Sequence, residues 1–205
     1  MSRTGTNRTL DTRVAEAEAR RLEAARSLRN RRLAIGVGIA VVLIGAIVFL
    51  ATRPAPEALN NVQTFADQGQ AHLAAGDPAP SYNSNPPTSG THASTSAVCG
   101  IYREPPSDVN LVHSLEHGVV IASYDPAIDE SERETLEQFA RDAGTHVIVT
   151  PRDGMETPIA LTAWTRLLAL DTADLAAMEA FYGQYAQFGP ERGVQCPFAV
   201  DQSQG

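Results

Sequence analysis

The sequence predicts an α+β fold: a small mixed sheet with two packed helices, entered through a long proline-rich loop region and preceded by one transmembrane helix. Three observations carry this expectation. The run Leu33 to Thr52 has no charged side chain. Eight of the thirteen prolines crowd into residues 53–106, where they interrupt regular elements. Beyond residue 117 the apolar residues alternate between strand-like runs and helix-like spacings.

Taken from the N-terminus, residues 1–32 carry nine arginines against four acids, Asp11, Glu16, Glu18 and Glu23. A helix over about 12–28 would have only Val14, Leu22 and Leu28 on its apolar side, too sparse for a core-facing stripe. The uncharged run 33–52 follows; at about 1.5 Å per residue it matches the roughly 30 Å hydrocarbon core of a bilayer. A cleaved signal peptide has an apolar stretch of only about 7–15 residues and a short basic start. Arginine-rich flanks stay in the cytoplasm, so the sequence predicts a cytoplasmic tail at 1–32, a transmembrane helix at 33–52 and a linker at 53–64. An extracytoplasmic domain at 65–200 and a short tail at 201–205 complete the expected organisation, with the protein in the cell membrane. Residues 33–205 hold seven arginines against twenty acids. Such an acidic domain repels phosphate backbones, which excludes nucleic acid as a partner.

The elements of the exterior part are expected in this order. "GVVIASY" (118–124) reads as a buried strand. "SERETLEQFARDAG" (131–144) reads as a helix with a capping box from Ser131 to Glu134, an apolar face of Leu136, Phe139, Ala140 and Ala143, and a terminal Gly144. "HVIVTP" (146–151) is the next strand. "IALTAWTRLLAL" (159–170) reads mostly as strand with a bend near Thr165. "TADLAAMEAFYGQYAQFGP" (172–190) reads as a helix with Leu175, Met178, Phe181, Tyr185 and Phe188 on the core side.

Cys99 and Cys196 both fall on the exterior side of the anchor. An oxidising compartment favours a disulfide between them; metal ligation and two free thiols are the competing readings.

Four of the five histidines precede residue 118: His72, His92, His113 and His117. In "HSLEHG", His113 and His117 are four apart and share one side of a helical turn, with Glu116 placed to join that face or orient a ring. Imidazoles at this spacing can chelate zinc or copper. The same pair could equally be hydrogen-bonded structural histidines. His92 ends the loop "YNSNPPTSGTH" (82–92), where Pro86 and Pro87 fix the backbone before any ligand arrives. The sequence therefore places His92 within a few ångströms of His113 and His117, with His72 as a further ligand.

H-x-x-E-H is also an inverted zinc-protease string, for which Glu191 could be a third ligand. That reading is disfavoured because a strand begins at once where such enzymes continue a helix. With only Met155 and Met178 beyond the anchor, a thioether copper(I) site is disfavoured too.

"YNSNPPTSGTH", "CGIYREP", "LVHSLEHGVVIASY" and "PIALTAWTRLLALD", in this order, resemble DUF3105, a bacterial family catalogued as a domain of unknown function. The resemblance runs from about Phe65, through "GQAHL", to about Pro190. It implies a single-pass membrane protein with an outward domain, and His72, His92, His113, Glu116 and His117 match its pattern. Thr91 stands where the family more usually has proline. No activity comes with the resemblance. The first expectation is a binding module for a divalent transition metal, zinc or copper. The alternatives are an accessory subunit docked on a membrane complex, with structural histidines, and a metal-dependent hydrolase.

Overall fold

The computed structural model describes residues 59–74, 76–78 and 80–204. The expected tail and transmembrane helix lie outside the described residues. No helix among the described residues is long and apolar enough to cross a membrane.

The chain runs through β1 (Gln63–Thr64), β2 (Gly100–Ile101), α1 (Asp108–Glu116), β3 (Val120–Tyr124), α2 (Glu130–Ala143) and β4 (Val147–Pro151). It continues through β5 (Ile159–Ala163), β6 (Arg166–Leu170), α3 (Leu175–Tyr185) and β7 (Val200–Asp201), closing in a 3-10 turn at Gln202–Gln204. One mixed sheet has the order β1-β6-β5-β3-β4-β2-β7. The unit β3-α2-β4 is a parallel crossover, in register from Val120 opposite Val147 to Tyr124 opposite Pro151. β5 runs antiparallel to β3 and forms a hairpin with β6.

Every residue of β3, β4 and β5 is buried, as expected when both faces of a sheet are covered. Successive side chains on a strand point to opposite faces, and β3 divides accordingly. Val120, Ala122 and Tyr124 pack in the cluster that holds Leu136, Phe139, Met178 and Phe181 of α2 and α3. Ile121 joins Ile148, Leu111, Leu115 and Cys99 in a second cluster under α1. The second face thus needs a helix of its own, and α1 is a third helix where the spacing of His113 and His117 predicts only one helical turn. Asp108 in its first turn suits the positive end of the helix dipole.

Three expectations change in detail. The twelve residues 159–170 are two strands, because Trp164 and Thr165 make a tight turn with Thr165 at φ 59. That conformation is held from outside: the Thr165 amide donates to the Thr88 carbonyl at 2.9 Å, and its own carbonyl accepts from Phe65 at 3.0 Å. The helix α2 begins at Glu130 with Asp129 as its N-cap, so the Ser131–Glu134 capping box does not form. The preceding turn, closed by Ile128 on Asp125, delivers an extended Asp129 whose carbonyl takes the amides of Glu132 and Arg133. Gly144 ends this helix in the left-handed conformation, as expected. Finally, α3 spans Leu175–Tyr185 only, capped by the Asp174 side chain on the Ala177 amide. Met178 and Phe181 are buried, but Leu175 is 45% and Phe188 61% exposed. Gln187, at φ 65, turns the chain away after the helix and its amide donates to Gly118, so Phe188 never meets the core.

Cys99 and Cys196 form a disulfide with their Cα atoms 5.7 Å apart, within the roughly 7 Å that such a bond can span. It joins the start of β2 to the segment leading into β7.

The corrected course of α3 is testable by denaturant unfolding. Phe181→Ala should cost about 3–5 kcal/mol. Phe188→Ala, at a largely exposed ring beside Arg192 at 5.5 Å, should cost less than about 1 kcal/mol.

Candidate metal centre

The loop 82–92 is polar, yet Pro86 to Gly90 are buried, so its hydrogen-bonding groups must find partners inside the protein. The Ser84 hydroxyl donates to Thr88, the Ser89 hydroxyl accepts from the Gln68 amide, and the Tyr82 hydroxyl donates to the Thr91 carbonyl. Gly90 stands at φ +126, where a Cβ would lie 3.2 Å from the Tyr82 ring. Arg152, just beyond β4, clamps the loop to α1. Its Nε donates to Asn85 at 2.7 Å, and its two terminal nitrogens grip the Asp108 carboxylate at 2.5 and 3.1 Å.

At the end of this loop His92 pairs with the segment around His72. The Leu73 amide donates to the His92 carbonyl at 2.7 Å, and the His92 amide donates to Ala71 at 3.0 Å. This short parallel bridge sets the two rings side by side, with centroids 4.9 Å apart. From the other side, α1 presents His113, whose ring centroid is 4.9 Å from that of His92 and 5.1 Å from that of His72. Ligand atoms of His72, His92, His113 and Glu116 all lie within 4.8 Å of one another.

The orientation of the rings is decided by two carbonyls. Nδ1 of His92 sits 2.7 Å from the Gly90 oxygen, and Nδ1 of His113 sits 2.7 Å from the Ala93 oxygen. A carbonyl can only accept, so both Nδ1 atoms carry a proton, and in the neutral form of either ring Nε2 is the bare nitrogen. This is the arrangement seen behind metal-ligating histidines, where a fixed acceptor sets the tautomer.

What Nε2 of His92 meets is decisive. His92 is fully buried, and the Glu116 Oε2 lies 3.0 Å away. The contact lacks hydrogen-bond alignment, which leaves Nε2 without a hydrogen-bond partner. A bare nitrogen lone pair and a carboxylate oxygen repel at that distance unless a proton or a metal ion lies between them.

His117 stands elsewhere. It caps α1, and its Nε2 is 2.9 Å from His113 Nε2 and 3.2 Å from Glu191 Oε2. It therefore joins a second set, His113, His117 and Glu191, and is not a fourth member of the first. Glu191 reaches it because residues 187–191 pack backbone against backbone on the end of α1. Gln187 donates to Gly118 at 2.7 Å and Glu191 to Glu116 at 3.0 Å. A Cβ on Gly189 would fall 2.1 Å from the Glu116 carbonyl. The sequence offered Glu191 only as a protease ligand; Gly189–Pro190 just before it was the available signal for a close approach. Glu116 faces His92 inside the protein, which does not suit the exposed general base of a zinc protease. His146 takes no part: its Nε2 is 2.9 Å from the Val194 carbonyl and its Nδ1 2.8 Å from the Thr145 hydroxyl.

Burial pushes the His113 ring below the ordinary imidazole value of 6.5; the Ala93 carbonyl opposes the shift, His117 and His92 reinforce it, and Glu116 opposes it. The shift favours the neutral ring, the form that binds metal.

Fold and cluster together define an α+β domain with a histidine–carboxylate cluster that is buried at His92, His113 and Glu116 and exposed at His72. A family model matches residues 75–197, more than half of the chain, and the chain belongs to that family, DUF3105, described as a protein of unknown function. The matched stretch includes His92, His113, Glu116, His117, Glu191 and both cysteines; His72 lies just before it. No curated protein and no solved structure matches the chain.

The lowered His113 value has a stability consequence in the metal-free protein. Between the folded value and 6.5 the unfolded chain binds more protons, so stability falls as pH drops through that window and is unaffected by this ring above it. With a chelator present, the wild-type Tm should fall relative to that of His113→Gln as pH goes from about 8 to about 5. Parallel curves would contradict the shift.

Proposed function

We propose that this domain binds a divalent transition metal ion, zinc or copper, through His72, His92, His113 and Glu116. The observation that carries the reading is the buried approach of His92 Nε2 to the Glu116 carboxylate, two electron-pair donors with no aligned proton between them. A cation there satisfies both. Three imidazoles and one carboxylate form a donor set suited to borderline ions. Both cysteines are committed to the disulfide, so no thiolate competes to draw in a softer ion. Around tetrahedral zinc at about 2.0–2.1 Å, neighbouring donors stand about 3.4 Å apart, so the wider pairs, up to 4.8 Å, close in and the His92–Glu116 pair, at 3.0 Å, opens slightly when the ion enters. Glu116 then acts as a ligand, beyond the orienting role first expected of it.

The domain belongs, on this reading, to the exterior face of the cell membrane, held by the anchor at 33–52. The arginine excess before that run supports it, and so does the disulfide, since such bonds persist in oxidising compartments.

Elemental analysis of the purified full chain should find bound zinc or copper. His92→Ala and His113→Ala should each weaken zinc binding by at least about tenfold, while His146→Ala leaves it within about threefold; equal affinities in all three variants would refute the reading. A reporter active only outside the cytoplasm, fused after Gly205, should work. A stably expressed but inactive fusion would reverse the orientation.

A further inference from the structure

We infer that His117 and Glu191 form an outer position of the same metal site, through which the ion enters and leaves by exchanging ligands at His113. This rests on the metal-binding reading and adds a route to it. The two donor sets share one residue, His113. Its Nδ1–H is committed to the Ala93 carbonyl at 2.7 Å, so only Nε2 is free to serve either set. One nitrogen lone pair coordinates one ion at a time. The sets are therefore alternative positions for a single ion and not a two-metal centre.

The outer set opens to solvent at Glu191, whose side chain is 57% exposed, with His117 at 13%; in the inner set His92 is wholly buried, His113 and Glu116 are buried, and His72 is exposed. An ion caught by Glu191 and His117 finds His113 Nε2 only 2.9 Å from His117 Nε2. It can take the new ligand before releasing the old ones, so it need not be stripped of donors midway.

Charge favours the same exchange. Each set holds one carboxylate, Glu191 outside and Glu116 inside, with imidazoles making up the rest. A divalent ion keeps one anionic ligand throughout and never enters the interior unpaired, which would be costly. The outer carboxylate is also placed with care: the Glu191 amide donates to the Glu116 carbonyl at 3.0 Å, so both acids are tied to one end of α1. The absence of a side chain at Gly189 allows that contact.

The test uses the full chain with zinc as probe and a colorimetric chelator, read by stopped flow and by titration. Glu191→Gln, at an exposed position, should leave the fold intact; His117→Ala is the second variant. Wild type and both variants should bind one zinc per chain. Capture and release should both slow by about tenfold in the variants, so that equilibrium affinity moves by less than about threefold. Two zinc ions per wild-type chain, or unchanged rates in Glu191→Gln and His117→Ala, would overturn the path and leave the inner site standing. An affinity loss in both variants as large as that of His92→Ala would also overturn it. A wild-type chain that takes up no zinc would instead remove the metal reading itself, and the path with it.

Discussion

The centre of this domain depends on one buried contact, His92 Nε2 against the Glu116 carboxylate at 3.0 Å. Buried polar atoms are normally paired, and an unpaired one raises the free energy of the fold. Here the cost cannot be relieved by turning the ring, because the Gly90 carbonyl holds Nδ1 at 2.7 Å. Nor can the carboxylate easily leave, since Glu116 is buried in the last turn of α1. Two buried donors are thereby fixed face to face, and this preorganisation is what the proposed cation site rests on.

Most of the remaining architecture serves to hold those two residues still. The central strands are covered on both faces, so α1 is pressed against Ile121 and Ile148 and cannot rotate His113 or Glu116 away. Arg152 binds the loop at Asn85 and the helix at Asp108 with one guanidinium. The segment 93–97 lies along α1, with the Ala97 amide and carbonyl both bonded to the Ser114 hydroxyl. On the far side the disulfide fixes Cys196 to Cys99, which limits how far the segment carrying Glu191 can stray.

The sequence disclosed the parts of this arrangement that are local. Runs of apolar β-branched residues located β3 and β4, and Gly144 marked the end of α2 because a left-handed residue was needed there. His92, His113, Glu116 and His72 were legible as candidates from residue type and spacing, and the stiff loop gave a reason for His92 to be delivered. What was not legible depends on contacts between distant segments. The turn at Thr165 exists because Thr88 and Phe65 bond to it. Helical spacing extended α3 to Phe188, but the tertiary bond from Gln187 to Gly118 ends it earlier. The separation of His117 from the first donor set, and the arrival of Glu191 beside it, follow from the backbone packing of 187–191 on α1. No periodicity encodes that.

The most direct test of the central claim is the X-ray absorption spectrum of the zinc-loaded full chain at the zinc edge. It should show a four-coordinate shell of nitrogen and oxygen at about 2.0–2.1 Å, with the outer scattering of about three imidazole rings and no sulfur. The spectrum of a fully hydrated ion, without imidazole scattering, would contradict the account.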